Sequence, residues 1–236
     1  MCFSATGSFA LAAILTGVGV ASIARSSSRS NRMFAAAPLL FAAQQAAEGV
    51  VWLTIGVPSE AMLQRLAVDA FLGFALVVWP LWVPISLQRM ERDPARRRVL
   101  TAMSWFSGTA SASAVLLLSR WQPFARVSGR SLSYDYPGTS NALLHVALVV
   151  VYVVSTIAPF FVSTARLVRT IGVTLVGSLL AAIVIRREAL TSVWCFFAAI
   201  LSGMIMIAVR HEEPSREKLE VVGGQADGRA SRVDQN

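Results

Sequence analysis

The feature that most constrains this chain is a succession of apolar runs, each about as long as a bilayer is thick and nearly free of charge. A membrane-spanning helix needs roughly 20 mostly apolar residues. The tail at 211–236 is polar and has no apolar periodicity, so we expect it to be disordered. The sequence predicts an all-α fold, a bundle of seven transmembrane helices over residues 1–210. The predicted spans are 6–24, 34–55, 66–87, 99–119, 140–162, 168–185 and 190–209.

Composition agrees with this class of protein. Charged residues make up 14% of the chain and its mean hydropathy is +0.60, whereas soluble domains carry about 25% charged residues. The net charge of +8 does not indicate nucleic-acid binding, because the basic residues form short clusters between apolar runs and no nucleic-acid motif accompanies them. The lipid bilayer is the predicted partner and a cell membrane the predicted location.

The basic residues also predict an orientation. The clusters at 25–32, 89–98 and 166–169, together with Arg210 and the tail, hold 15 Lys and Arg residues. The connections on the other side of the membrane hold six. Basic loops stay in the cytoplasm, so the N-terminus is predicted outside and the C-terminus inside. Residues 1–24 contain no Lys or Arg, which favours a first helix over a signal peptide.

The stretch FAAQQAAEGVVW at 41–52 places a carboxyl group inside the second span. Gln44, Glu48 and Trp52 recur every four residues and so share one face of the helix, with Gln45 beside them. A carboxyl group in hydrocarbon is costly, so we expect Glu48 to face the bundle interior. It is either a functional group or a protonated acid that binds neighbouring helices together.

Other chemically active side chains are predicted at a similar depth, in the outer third of the bundle. Asp69 lies one turn into the third span, where it could instead cap the helix or pair with Arg65. His145 lies near the start of the fifth span, where it could be a ligand, a base or a structural hydrogen-bonding residue. Cys2 precedes the first span on the same side, and Cys195 lies early in the seventh.

The opening MCFSATGSF and the pattern QQxxEGxxW, formed by residues 44–52, resemble an uncharacterised family of bacterial multi-helix membrane proteins. The resemblance implies a bacterial inner membrane and no known activity. It draws attention to Cys2, since removal of Met1 would leave Cys2 with a thiol and an α-amine outside.

Three functions fit these residues. The first is a metal-dependent enzyme in which Cys2, Glu48 and His145 hold zinc or iron that activates water for hydrolysis or hydration. Glu48 and Asp69 would be its catalytic groups, Asp69 as a base or fourth ligand, while Gln44, Gln45 and Trp52 support them. The small-molecule substrate is left open, and a disulfide between Cys2 and Cys195 is the alternative use of the thiol.

The second function is a small-solute or proton-coupled transporter in which Glu48 titrates. The third is a non-catalytic sensor or assembly protein with 120–139 as its outer contact surface, where Tyr134 and Tyr136 form an interface or a lid over the site. Pro80 and Pro84 predict a kink in the third span.

Overall fold

The computed structural model describes residues 4–26, 28–129, 131–136, 142–185 and 200–207, without the side chains of 142–145 and 181–185. The described chain is mostly helical. Three helices precede the connection at 55–60, and three helices with a π-helical segment lie between it and the hairpin. Three helices with assigned bounds follow the hairpin, besides a helical stretch at 200–207. In chain order, the helices with assigned bounds are α1 (Ala5–Ala24), α2 (Arg29–Ala35), α3 (Ala37–Thr54), α4 (Ala61–Gly73), the π-helical segment Phe74–Val78, α5 (Trp79–Met90), α6 (Pro94–Trp121), α7 (Ala142–Thr156), α8 (Ala158–Val162) and α9 (Arg166–Ile185).

Within the described residues, four helical segments are long and apolar enough to cross a membrane. They contain the first four predicted spans almost whole. The fifth predicted span corresponds to α7 and α8, which include a shorter apolar stretch, and the sixth corresponds to α9. Residues 200–207 of the seventh are helical, while 186–199 and the tail lie outside the described residues. The four segments are Ala5–Ala24, Arg29–Thr54, Pro58–Met90 and Pro94–Trp121.

The mostly helical fold is as predicted, but the connection after α6 forms an antiparallel hairpin, which the sequence did not predict. Strands β1 (Phe124–Ser128) and β2 (Ser131–Asp135) pair along their whole length. Alternation within this segment favours extended backbone, and Arg126 pairs with Asp135 across the two strands. Tyr134 stacks on Phe71 of α4 with ring centroids 4.8 Å apart, so the hairpin covers one end of the bundle. We call this end the hairpin end.

Helices α1 and α3 pack unusually closely, because each presents a glycine to the other. A Cβ on Gly49 would lie 2.8 Å from Phe9 Cζ, and one on Gly19 would lie 2.6 Å from Leu39 Cδ2. The two contacts are ten residues apart on both helices, so the helices run antiparallel and in register. The contact at Gly49 places Phe9 of α1 against the residue next to Glu48 on α3.

Near Pro80, where the sequence predicts a kink, the structure has a π-helical turn just before the proline. Pro80 has no backbone N–H, so an α-helical hydrogen bond is lost at this point. The N–H of Trp79 bonds instead to the carbonyl of Phe74. Ser111 of α6 donates its hydroxyl to the carbonyl of Val77 at 3.1 Å. A neighbouring helix thus adds a hydrogen bond to the backbone of the irregular turn.

At the opposite end of the bundle, a buried carboxylate joins two helical connections. Glu91 accepts hydrogen bonds from the backbone N–H and the hydroxyl of Thr164, at 2.8 and 2.9 Å, and from the next two backbone N–H groups of its own loop. Arg96 donates to the carbonyls of Val162 and Ser163. Burial by itself raises the pKa of Glu91, but the hydrogen bonds outweigh burial and the pKa is lowered.

Candidate functional site

Glu48 lies in the interior of the bundle, as the sequence predicts. It has no exposed surface, and the neighbouring Gln45 is 1% exposed. Gln45 donates from Nε2 to Glu48 Oε2 at 3.1 Å. Glu48 lies six residues before the end of α3, which places it about 9 Å along the helix from that end. The carboxyl group is therefore enclosed on the half of the bundle nearer the hairpin.

Gln44 forms a hydrogen bond between helices. Trp79 of α5 donates its indole N–H to Gln44 Oε1 at 2.7 Å, and its ring packs on Phe41 at a centroid distance of 4.0 Å. An indole nitrogen can only donate, so this bond fixes which end of the Gln44 amide is the oxygen. The amide nitrogen of Gln44 then has no hydrogen-bond partner among the described residues. Gln44 therefore joins α3 to α5.

The structure does not bring Asp69 into this buried group. Asp69 is exposed and lies 4.0 Å from Arg65, one turn earlier on α4. This is the ion pair that the sequence offered as the alternative to a functional role. Trp52 is half-buried, and within the described part of the chain its indole nitrogen has no hydrogen-bond partner.

The predicted metal site involves residues that the structure describes only in part. Cys2 and Cys195 lie outside the described residues, and His145 belongs to α7 without a described side chain. Among the side chains that are described, no three His, Cys, Asp or Glu residues lie close enough together to hold a metal ion. The ligand set Cys2, Glu48 and His145 stays a prediction.

A large cavity begins beside the Gln44–Trp79 pair. It has a volume of about 550 Å³ and lies between α3, α4, α5, α6, α7 and α9. Its longest wall is one face of α6, where lining residues recur every three or four positions from Phe106 to Trp121. Fifteen residues of α-helix correspond to about 22 Å. The cavity is therefore elongated and runs from the middle of the bundle towards the hairpin end.

The two ends of the cavity differ in chemistry. Near the middle of the bundle it is lined by Gln44, Trp79 and Ser155, and at the hairpin end by Trp121 and Tyr136. The hydroxyl of Ser155 is buried and has no partner among the described residues. Burial raises the pKa of Tyr136 to about 12, so this phenol is neutral at physiological pH. Aliphatic side chains form most of the wall between these ends.

Sequence reasoning missed Trp79 and Ser155. A signal existed for Trp79, because tryptophan is enriched at membrane interfaces and here lies well inside a span. Ser155 gave no signal, since serine in a membrane helix usually bonds its own backbone. Of the two tyrosines predicted to form an interface or a lid, Tyr136 lines the cavity, while Tyr134 packs the hairpin against α4. Their role as an interface or lid stays a prediction.

The chain belongs to a family of unknown function, DUF6629, which matches residues 1–219. This agrees with the resemblance to an uncharacterised family. No curated protein and no solved structure matches the chain.

Proposed function

We propose that this member of a family of unknown function is an integral protein of the bacterial cell membrane that binds a lipophilic small molecule between its helices. The observation that carries the proposal is the 550 Å³ cavity that ends at the Gln44–Trp79 pair. Cavities of about 300–1,000 Å³ with mainly apolar walls and a few polar groups are typical of small-molecule sites.

The cavity is accessible from the side of the bundle. Thr109 and Ser113 belong to its α6 wall and are also exposed on the molecular surface. In a bilayer this opening would face lipid, so a molecule dissolved in the membrane could enter without crossing water. Since both hydroxyls bond backbone carbonyls of their own helix, they present little polarity to an entering apolar molecule.

Glu48 contributes to this site through its position on α3 and not by lining the cavity. It is not among the described residues that line the cavity, and its position on α3 is one turn from Gln44. The Gln45–Glu48 hydrogen bond lies within α3, and the burial of both side chains holds this part of α3, next to Gln44, inside the bundle. In this proposal Glu48 is a structural group of the binding site. The metal-dependent reading of Glu48 is a separate proposal, which metal analysis tests.

Filling the cavity tests the proposal directly. Ala110 lines the cavity on α6, whereas Ala112 on the same helix is exposed and does not line it. Purified protein in lipid nanodiscs would be exposed to a photoreactive diazirine hydrocarbon, and the labelled peptides would be identified by mass spectrometry. We expect labelling within 106–121 and 148–155 that saturates with probe and falls at least fivefold in Ala110→Phe.

The control is Ala112→Phe, which adds the same side chain to the lipid-facing surface. It should leave the saturable labelling unchanged and alter only labelling that rises linearly with probe. Labelling that never saturates, or that falls equally in both variants, would contradict a binding site in the cavity.

A further inference from the structure

We infer that the ligand is electrically neutral and carries a hydrogen-bond acceptor, such as a carbonyl oxygen, at the end that lies against Gln44 and Ser155. This inference rests on the proposed function and names the chemical class that the same cavity would select. It follows from three observations: the orientation of one amide, one buried hydroxyl, and the charge of the wall.

The first observation is the direction of the Gln44 amide. Its oxygen is committed to the indole N–H of Trp79 at 2.7 Å. What Gln44 can still offer to the cavity is its NH₂ group, which only donates. Gln44 is 5% exposed, so water reaches this donor poorly. A molecule in the cavity would therefore gain most by presenting an acceptor to Gln44.

The second observation is Ser155, on the α7 wall. Its hydroxyl is fully buried and lacks a partner within the described part of the chain. Leaving a buried hydroxyl unsatisfied costs about 1–3 kcal/mol, and α-helical serines commonly avoid this by bonding a carbonyl of the preceding turn. Ser155 lines the same region as Gln44. The Ser155 hydroxyl shows no surface to the cavity as it stands, so an acceptor held by Gln44 would also satisfy Ser155 once that hydroxyl turns towards it.

The third observation is the charge of the wall. None of the described residues lining the cavity is Asp, Glu, Lys, Arg or His. Moving an ion into such a wall without a counter-ion is strongly unfavourable. The polar end of the ligand should therefore be uncharged, which excludes fatty acids in their ionised form and alkylamines. The long α6 wall suits an extended apolar body that reaches towards Trp121 and Tyr136.

The test compares four straight-chain molecules of equal length: a methyl ketone, a hydrocarbon, a primary amine and a carboxylate. Binding to the purified full chain would be measured by native mass spectrometry, after transfer from matched mixed micelles. We expect the ketone to bind roughly two- to tenfold more tightly than the hydrocarbon, the range expected for a neutral hydrogen bond. The amine and the carboxylate should bind more weakly than the hydrocarbon.

Variants assign the preference to the two residues. Gln44→Leu should remove the preference for the ketone and leave binding of the hydrocarbon, while Gln88→Leu should change neither. Gln88 is the matched control because it bonds Thr101 and does not line the cavity. Ser155→Ala should reduce the preference by about half or more, and it removes a hydroxyl that bonds nothing described. If Gln44→Leu impairs folding, Ser155→Ala therefore tests the same preference in its place.

The outcomes separate the two proposals. Equal binding of ketone and hydrocarbon, or a preference that survives both Gln44→Leu and Ser155→Ala, would overturn the inference about the polar end but leave the cavity as a binding site. Tighter binding of the amine or the carboxylate would overturn the neutral character of the ligand. If none of the four molecules binds, the proposed function itself fails.

Discussion

Replacing Glu91 with alanine should destabilise the protein by about 3 kcal/mol. The carboxylate accepts four hydrogen bonds of 2.8–3.1 Å, two of them from Thr164 in a connection 73 residues away. A hydrogen bond to a charged group contributes about 1.5–3 kcal/mol. The sum would overstate the effect, because Thr164 is exposed and water can replace the carboxylate at some of these donors. At the lower value, four hydrogen bonds would sum to about 6 kcal/mol, and we expect about half of that loss.

Asp93→Ala is the matched control. Asp93 lies in the same loop and accepts one hydrogen bond, from the backbone N–H of Arg96 at 2.8 Å, as the N-cap of α6. Loss of an N-cap costs about 1 kcal/mol. Equilibrium unfolding in detergent micelles, followed by circular dichroism, would measure both variants. A loss in Glu91→Ala no larger than in Asp93→Ala would refute the view that Glu91 joins two connections.

The pH dependence gives an independent check on Glu91. Its pKa in the folded protein is below the ordinary value of 4.5, so the folded state favours the ionised form. The resulting stability is fully present above the ordinary pKa and is lost as the pH falls through the lower, folded value. The difference in stability between wild type and Glu91→Gln should therefore shrink on acidification below 4.5. A difference that is constant with pH would show that ionised Glu91 does not stabilise the fold.

Three further predictions concern topology, metal and packing. A reporter fused after Asn236 should be active only in the cytoplasm, and activity outside would reverse the predicted orientation. If the metal prediction is right, purified wild type holds stoichiometric zinc or iron, and the metal content should fall in Cys2→Ser, Glu48→Gln and His145→Ala. A wild-type protein without metal would remove the enzyme hypothesis. Gly49→Ala should lower thermal stability because its Cβ would lie 2.8 Å from Phe9, and Phe9→Ala should partly restore it. Gly17→Ala, with no atom within 4 Å, should be neutral or slightly stabilising; a loss of stability as large as that in Gly49→Ala would contradict the packing argument.

The helical part of the fold could be read from the sequence because long apolar runs leave the chain few alternatives. A backbone in hydrocarbon must satisfy its own hydrogen bonds, and a helix does so within one segment. The hairpin at Phe124–Asp135 was missed because it lies outside the apolar runs, where this constraint does not act. Its alternation of apolar and polar residues was the available signal.

The site was predicted only as far as single-helix geometry allows. Burial of Glu48 follows from the cost of a carboxyl group in hydrocarbon, and its pairing with Gln45 is local to one helix. The bond from Trp79 to Gln44 joins positions 35 residues apart, and the cavity beside it depends on how six helices pack. Ser155 becomes notable only when that packing shows its hydroxyl buried without a partner among the described residues.

The most direct test of the account is to measure what remains bound to the purified protein. Native mass spectrometry of wild type, Ala110→Phe and Ala112→Phe, prepared identically in mild detergent, would show each bound molecule as a defined added mass. The account predicts one neutral lipophilic molecule per chain in wild type and in Ala112→Phe, and its loss in Ala110→Phe. The same bound masses in all three proteins, or none in wild type even after incubation with excess membrane extract, would contradict the binding cavity.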